Sequence, residues 1–372
     1  MSKQPTPFSL IDTQLQSNPQ ALKDWIKAEA QALGFSGCGI AKPDNHEQIA
    51  HLQQYLDAGF HADMDYLAAN LDKRADPKLL VPNTRSIICV RMDYLAEAPP
   101  HRYVPHEPNQ AIIARYARGR DYHKVVRSRL KQLAQRIEEK LGAFGAPHSW
   151  RPFADSAPIF EKALAEKSGL GWTGKHTLLI NKKAGSFFFL GELFTSLDLP
   201  FDESATTHCG SCSACIDICP TQAIVAPYRL DARKCIAYLT IEYQGIIAEE
   251  FRRPIGNRIF GCDDCQLICP WNSFAQLSKE DDFKARHGLN QSTLLDLWQW
   301  TEAEFLSKTE GSAIRRTGYQ GFMRNVAIGL GNADFDPAII DALQHSQHDE
   351  VVQVHVDWAM REQKLKSSDD NP

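Results

Sequence analysis

The sequence predicts three consecutive regions: an α/β domain at residues 1–205, a cysteine-rich domain at 206–280 and a helical module at 281–372. Candidate helices and strands alternate in the first region, which is typical of α/β domains. The second region contains most of the cysteines, and the third has helical periodicity throughout. A chain of 372 residues is also too long for one ordinary core, which agrees with several domains.

The elements of the α/β domain are predicted from hydrophobic periodicity and from glycines that end helices. Helices are expected at 21–33, 48–58, 122–141 and 158–167. Strands are expected at 35–41, 86–90, 112–117, 150–154, 177–181 and 187–190.

The helical module contains short helical patterns separated by Gly, Asn and Asp. They cover 294–300, 321–330, 337–343 and 351–362. Paired short helices favour a HEAT-like helical repeat, although the sequence has no firm repeat period. We expect the polar end of the chain, 366–372, to be disordered.

Composition excludes several classes of protein. Hydrophobic residues make up 43% and charged residues 23%, an ordinary globular balance that argues against broad disorder. The longest apolar runs are far shorter than the ~18 residues of a membrane span. The first residues lack the apolar stretch of a signal peptide, so we expect a cytoplasmic protein, in which clustered cysteines bind metal or do chemistry.

The cysteine spacing predicts two four-iron four-sulfur clusters. One run is Cys209-x2-Cys212-x2-Cys215-x3-Cys219-Pro220, a second is Cys262-x2-Cys265-x3-Cys269-Pro270, and Cys235 lies between them. In bacterial ferredoxins, three close cysteines hold one cluster and the cysteine before proline holds the other.

Counting then assigns four cysteines to each cluster, and each cluster takes one ligand from the other cysteine run. We call this the crosswise assignment. The first cysteine group is Cys209, Cys212, Cys215 and Cys269. The second cysteine group is Cys219, Cys235, Cys262 and Cys265. Two zinc sites are the alternative, since zinc also uses Cys-x2-Cys pairs. We expect Cys38 and Cys89, in apolar strand candidates, to be small buried residues.

Two clusters carry electrons one at a time, and the long region before them implies a catalytic cofactor or substrate site there. That region ends in Arg-Pro-Phe-Ala-Asp-Ser-Ala-Pro at 151–158, Glu-Lys-Ala-Leu-Ala at 161–165 and Gly-Leu-Gly-Trp-Thr-Gly-Lys at 169–175. Together with the two cysteine runs, these segments resemble the epoxyqueuosine reductases over about residues 20–360. The resemblance implies a cobalamin-dependent enzyme that completes queuosine in the anticodon of certain transfer RNAs.

The resemblance also implies base-off cobalamin between the α/β domain and one cluster. Cobalamin bound through a protein histidine usually uses Asp-x-His-x-x-Gly, and the nearest match, at 121–126, lacks the glycine. The implied cobalamin contacts are Arg74, Tyr116, Asp155, Lys175, Asn181, Leu190 and Glu192. For each of these, an ordinary surface or core residue is the alternative, and His208 is expected to be a loop residue.

Asp155 matches the proton donor of the family. Reductive removal of an epoxide oxygen takes two electrons and a proton for the departing oxygen. A general acid at pH 7 needs a pKa well above ~3.9, and burial beside the corrin would raise it. Alternatively, Asp155 or Ser156 lies near the cap of a helix that begins at Pro158.

Two basic groups are candidates for RNA contacts, although the net charge of -5 alone argues mildly against such a partner. The candidates are Arg229, Arg233, Lys234, Arg252, Arg253, Arg258, Arg315, Arg316 and Arg324. Phosphate neutralisation by these residues would hold the anticodon arm, and a flipped base would enter the site. Solvated helix faces are the alternative.

The leading hypothesis is therefore a reductase that acts on transfer RNA. It would take electrons from an external low-potential donor such as a flavodoxin or ferredoxin, and we expect a monomer that does not associate with membranes. A cobalamin-dependent reductive dehalogenase and an iron–sulfur electron-transfer protein are the alternatives. The absence of an export signal and the Asp155 segment argue against the first, and the long first region argues against the second.

Overall fold

The computed structural model describes residues 18–97, 107–142 and 148–369. The strands are β1 (Gly37–Ala41), β2 (Ser86–Asp93), β3 (Ile112–Ile113), β4 (Trp150–Phe153), β5 (Trp172–Thr173), β6 (Leu179–Ile180), β7 (Phe188–Thr195), β8 (Ile224–Ala226), β9 (Arg229–Leu230) and β10 (Arg258–Phe260). The helices are α1 (Pro19–Ala32), α2 (His46–Asp57), α3 (Leu71–Ala75), α4 (Pro77–Leu80), α5 (Tyr122–Gly142), α6 (Glu161–Lys167), α7 (Ala214–Asp217), α8 (Ile236–Ile241), α9 (Glu249–Ile255), α10 (Asp264–Leu267), α11 (Leu294–Trp298), α12 (Glu302–Lys308), α13 (Gly318–Asn332), α14 (Pro337–Gln344) and α15 (Glu350–Asp369). No helix in the described ranges is both long enough and apolar enough to cross a bilayer.

A four-stranded sheet forms the centre of the first region. Its order is β1-β2-β7-β4, and every neighbouring pair is antiparallel. The two central strands pair along their whole length, from Ser86 with Thr195 to Asp93 with Phe188. Both are buried on the two faces of the sheet, which explains why their sequences are nearly continuous apolar runs.

Helices cover both faces of this sheet. Ile88 and Val90 pack with Leu130 of α5 on one face. Ile87 packs with Leu164 of α6 on the other, because successive side chains of a strand point to opposite sides. The predicted layering of helices on a sheet is therefore present. The alternation of helices and strands did not determine the strand directions, which are antiparallel.

Two predicted strands lie outside the main sheet. Of the residues at 177–181, only Leu179–Ile180 is a strand, and it pairs with β5 in a separate two-stranded sheet. Of the residues at 112–117, only Ile112–Ile113 is a strand, and it pairs in parallel with β10 instead of joining the main sheet. A 3-10 turn, Arg115–Ala117, follows it. Ile113 is fully buried in a second core with Ile255 and Phe322, and this packing takes the segment away from the main sheet.

The cysteine-rich region contains two very short helices, α7 and α10, which pack against each other. Each helix carries one cysteine of a run, Cys215 in the first and Cys265 in the second. The second hydrophobic core extends from this region into the helical module, where α13 is buried on nearly all sides. The HEAT-like character of the module stays a prediction.

The chain end that was predicted to be disordered is partly helical. Helix α15 includes 366–369, whereas 370–372 lie outside the described residues. Lys366 Nζ donates to the carbonyl oxygen of Gly331, at 2.9 Å, near the end of α13. A cation that binds the last carbonyls of a helix stabilises both partners, which accounts for the ordered helix here.

Candidate functional site

The first cysteine group lines one small cavity. Its four cysteines lie there together with Lys175, His176 and Trp271. Cys212 is exposed, whereas Cys215 is buried, so the cavity opens to solvent on one side. The structure thus brings Cys269 to the cysteines of the earlier run, as the crosswise assignment requires.

All four cysteines of the second cysteine group are half-buried. Burial raises the pKa of Cys235, and the neighbouring thiol of Cys219 raises it further. Burial also raises the pKa of Cys262, and the thiol of Cys235 adds to that shift. Burial also raises the pKa of Cys265, with contributions from Cys262 and Cys235. The backbone N–H of Ala223 donates to Cys219 Sγ at 3.2 Å. Within the described residues, no three His, Cys, Asp or Glu side chains converge closely enough to hold a single metal ion.

A large cavity of about 1140 Å³ lies on the other side of the segment 175–178. His176 faces the cysteine cavity, whereas Thr177 and Leu178 line the large one. Strand β7 supplies an apolar wall through Phe189 and Leu190. The remaining lining includes polar side chains from several elements, among them Arg74, Asp155 and Arg316.

Arg74 and Leu190, two of the implied cobalamin contacts, line the large cavity. Arg74 is buried and donates to the carbonyl oxygens of Ala69 and Tyr66, which fixes its guanidinium at the wall. Burial lowers the pKa of this arginine.

Four other implied cofactor contacts are not among the residues that line the large cavity, and their role as cofactor contacts stays a prediction. Lys175 Nζ binds the carbonyl oxygens of Gly210 (2.7 Å) and Cys212 (2.8 Å), so it holds the cysteine loop. Asn181 binds the carbonyl oxygen of Leu170 and closes its own turn. The remaining two are Tyr116, whose ring contacts Tyr122 and Phe260, and Glu192, which is fully buried.

Asp155 follows β4 in a strained backbone conformation. Its φ is +45°, a region that residues other than glycine rarely adopt and that is frequent at functional sites. Its backbone N–H donates to Glu161 Oε1 at 2.6 Å, and this bond holds the turn. The hydroxyl of Tyr122 donates to Asp155 Oδ2, and His123 Nε2 lies 3.6 Å from the same oxygen.

These partners lower the pKa of Asp155, whereas the sequence analysis expected a raised pKa. Burial acts to raise the pKa of Asp155, but hydrogen bonds from His123 and Tyr122 outweigh it, so the pKa is lowered instead of raised. Burial likewise acts to lower the pKa of His123, but hydrogen bonds to Asp121 and Asp155 raise it to about 9. At neutral pH the ionisable proton of this cluster is therefore on the imidazole.

A pair of buried carboxyl groups lies behind Asp155. Burial raises the pKa of Glu161 to about 8, with the charge of Asp155 adding to the shift. Burial and the charge of Glu161 also raise the pKa of Glu192, which is fully buried. Sequence analysis did not identify Tyr122, His123 or Glu161 as site residues. In the sequence, the Asp-Tyr-His run at 121–123 matches only an incomplete histidine-ligand motif for cobalamin.

Three of the nine basic candidates are interior residues, which corrects their assignment to RNA. Arg324 is fully buried and binds the carbonyl oxygens of Leu239, Tyr243 and Gly245. Arg258 is buried against Asp264. Arg252 is also buried and donates to the carbonyl oxygen of Ile247. A guanidinium buried in this way stabilises the fold and is not accessible to a phosphate.

The other candidates keep solvent access, and two of them, Arg229 and Arg233, lie over the ring of Phe60. They are Arg229, Arg233, Lys234, Arg253, Arg315 and Arg316. Arg233 pairs with Asp231, and Arg253 binds Glu362 through two nitrogens. Arg316 lines the large cavity on which Asp155 lies.

Two groups of four cysteines beside a large cavity with an ionisable cluster define a two-cluster iron–sulfur oxidoreductase. The family model "4Fe-4S double cluster binding domain" matches residues 208–272, and "Epoxyqueuosine reductase QueG, DUF1730" matches 74–156. The chain belongs to the epoxyqueuosine reductase family. It is 51% identical to the epoxyqueuosine reductase of Pseudomonas aeruginosa, over 96% of this chain and 98% of that protein.

Solved structures have the same fold. The structure of epoxyqueuosine reductase from Streptococcus thermophilus is 27% identical, has a TM-score of 0.82, and the match covers 93% of this chain and 91% of that chain. A crystal structure of an epoxyqueuosine reductase with an epoxyqueuosine-modified tRNA-Tyr stem loop is 24% identical, has a TM-score of 0.80, and the match covers 93% and 100%.

Proposed function

We propose that this protein reduces epoxyqueuosine to queuosine at the anticodon wobble position of transfer RNA. The observation that carries the proposal is the 51% identity to an epoxyqueuosine reductase over nearly the whole of both chains. The geometry agrees with this activity, because Asp155 and its hydrogen-bonded partners lie on a cavity next to the cysteine groups. The first and second cysteine groups hold the two clusters of the family's double-cluster domain, and an external donor such as a flavodoxin or ferredoxin supplies the electrons.

The large cavity fits a base-off cobalamin. Its volume of about 1140 Å³ exceeds the ~300–1,000 Å³ of ordinary ligand pockets. Phe189 and Leu190 offer an apolar wall for a flat macrocycle, and Arg74 offers donors to its amide or phosphate groups. Both ring nitrogens of His123 face carboxylates, at 2.7 Å from Asp121 and 3.6 Å from Asp155. His123 is therefore not available as an axial ligand.

Bound and reduced cobalamin would supply the two electrons that the epoxide takes up. The protein supplies the proton for the oxygen that leaves. Asp155 faces the cavity, and Tyr122 and the protonated His123 both contact its carboxylate oxygen. We infer that Asp155 accepts a proton from His123 and passes it to the departing oxygen, so that the low pKa of the carboxylate does not prevent general acid catalysis.

Arg316 is the basic residue placed to hold the RNA next to the site. It is exposed, lies 3.5 Å from Glu242 and lines the same cavity as Asp155. We expect Arg316→Ala to raise the KM for transfer RNA about tenfold and to reduce the dependence of log KM on log salt by about 1, since one phosphate contact is lost. Steady-state kinetics at several salt concentrations measure both quantities.

The matched control for this variant is Arg85→Ala. Arg85 is equally exposed and pairs with Asp198 at the protein surface. It should leave the KM and its salt dependence unchanged. An unaltered KM and salt slope in Arg316→Ala would show that this side chain does not bind the RNA.

The proposed activity has a direct test. Protein with reconstituted clusters is incubated anaerobically with cobalamin, a low-potential reductant and epoxyqueuosine-containing transfer RNA, and the digested nucleosides are analysed by mass spectrometry. The expected result is conversion to queuosine that depends on both cobalamin and reductant. Conversion without cobalamin would contradict the cofactor proposal, and no conversion in the complete mixture would contradict the proposed function.

A further inference from the structure

His176 has a side chain that the reaction described above does not use. It is 3% exposed and lies in the Gly-Trp-Thr-Gly-Lys-His segment, directly after the lysine that holds the cysteine loop. Its imidazole lines the small cavity formed by the first cysteine group.

The hydrogen bonds of the ring determine its tautomer. The backbone N–H of Leu178 donates to His176 Nδ1 at 3.1 Å. A nitrogen that accepts a hydrogen bond carries no proton, so the proton of the neutral ring is on Nε2. Among the described residues, Nε2 has no hydrogen-bond partner although it is fully buried. A buried N–H group without a partner is destabilising, so a partner is expected in the loaded protein.

The surroundings fix the direction of the ring. A Cβ atom at position 174 would lie 3.0 Å from His176 Cε1 and 2.5 Å from Ile180 Cδ1, so Gly174 leaves the space that the imidazole occupies. Lys175 Nζ binds the carbonyl oxygens of Gly210 and Cys212, which fixes the cysteine loop against the same segment. The ring and the loop are therefore held as one unit around the cavity.

We propose that the Nε2–H of His176 donates a hydrogen bond to a sulfur atom of the cluster held by the first cysteine group and thereby raises the reduction potential of that cluster. Four cysteines already complete the ligand set, so the histidine is a positioning and tuning residue and not a ligand. A donor to sulfur stabilises the more negative, reduced state, and hydrogen bonds to sulfur are among the factors that set cluster potentials. The inference rests on the family's double-cluster domain and does not depend on the RNA substrate.

His176→Asn tests the proposal. The Asn carboxamide oxygen can accept a hydrogen bond from the N–H of residue 178, as in an Asx-turn, so the turn is kept. The shorter side chain has no group at the position of Nε2, so the proposed hydrogen bond to the cluster is lost. In protein carrying both clusters, we expect the reduced-to-oxidised ratio of the first-group cluster to fall about tenfold at a fixed solution potential, a shift of about 59 mV for a one-electron couple. Redox titration followed by electron paramagnetic resonance measures this, and the second-group cluster serves as an internal reference.

His208→Asn is the matched control, because His208 is next to Cys209 but is exposed and contacts Thr206. Its cluster potentials should equal those of the parent protein. An unchanged potential in His176→Asn would overturn the proposal.

A second measurement gives a result even if His176→Asn does not fold. In the parent protein labelled with [15N]histidine, pulsed electron paramagnetic resonance of the reduced clusters should detect a weak nitrogen coupling, and His208→Asn should retain it. Absence of this coupling in the parent protein would also overturn the proposal. Because no substrate is present in either experiment, a failure here is distinct from a failure of the proposed reductase activity.

Discussion

Replacing Asp155 by asparagine should lower kcat by about 10²–10⁴-fold while both clusters remain bound, because general acid catalysis contributes about that factor. Asparagine has nearly the same shape and keeps the backbone N–H that donates to Glu161. It cannot accept a proton from His123 and pass it on. Single-turnover conversion of epoxyqueuosine in transfer RNA, together with iron and sulfide analysis, measures both parts of the prediction.

The pH dependence gives a second readout for the same residue. The pKa of His123 is raised to about 9, so the imidazole holds its proton below that value and loses it as the pH rises through it. The kcat of the parent protein should therefore fall as the pH rises through about 9. In Asp155→Asn one of the two carboxylates that raise the pKa of His123 is lost, so the alkaline fall should move to lower pH.

The control for Asp155 is Asp198→Asn, at a carboxylate that pairs with Arg85 on the protein surface. Its kcat and pH profile should match those of the parent protein. A kcat of Asp155→Asn within threefold of the parent value would exclude this residue from proton transfer.

Replacing Cys269 by alanine should remove the cluster of the first cysteine group, although Cys269 follows Cys262 and Cys265 closely in sequence. Iron should fall from about eight to about four atoms per chain, and turnover should be lost because one of the two clusters is missing. Iron analysis and the paramagnetic resonance spectrum of the reduced protein measure the loss.

Cys262→Ala provides the contrast, since it should remove the other cluster and leave a different spectrum. Loss of the same cluster in both variants would contradict the crosswise assignment. Cys38→Ala is the matched control, because Cys38 lies in β1 and burial raises the pKa of its thiol to about 12. It should retain both clusters.

The cysteine groups could be predicted from sequence because cluster ligation is largely a local property. Two residues between cysteines place both thiolates on one turn, and the spacing of the runs shows this constraint directly. The assignment of Cys269 and Cys235 needed only counting, and the structure brings Cys269 into the cavity of the first cysteine group. Asp155 was found by resemblance to a family, since a single aspartate has no distinguishing local pattern.

The electrostatics of Asp155 could not be predicted in the same way. Tyr122 and His123 lie on α5, more than thirty residues earlier, and the fold brings them to the carboxylate. Burial alone would have raised the pKa, and the long-range hydrogen bonds reverse its direction.

By itself, the sequence determined most of the long helices, because these depend on periodicity along the chain. It also predicted the eight thiolate ligands from their spacing and the order of the regions from composition. Only the tertiary structure decided that the central strands are antiparallel, that Arg258 and Arg324 are interior residues and that Lys175 holds a cysteine loop. The physical reason is that burial and hydrogen-bond partners depend on segments far apart in sequence. The same side chain binds a phosphate at the surface and a backbone carbonyl in the core.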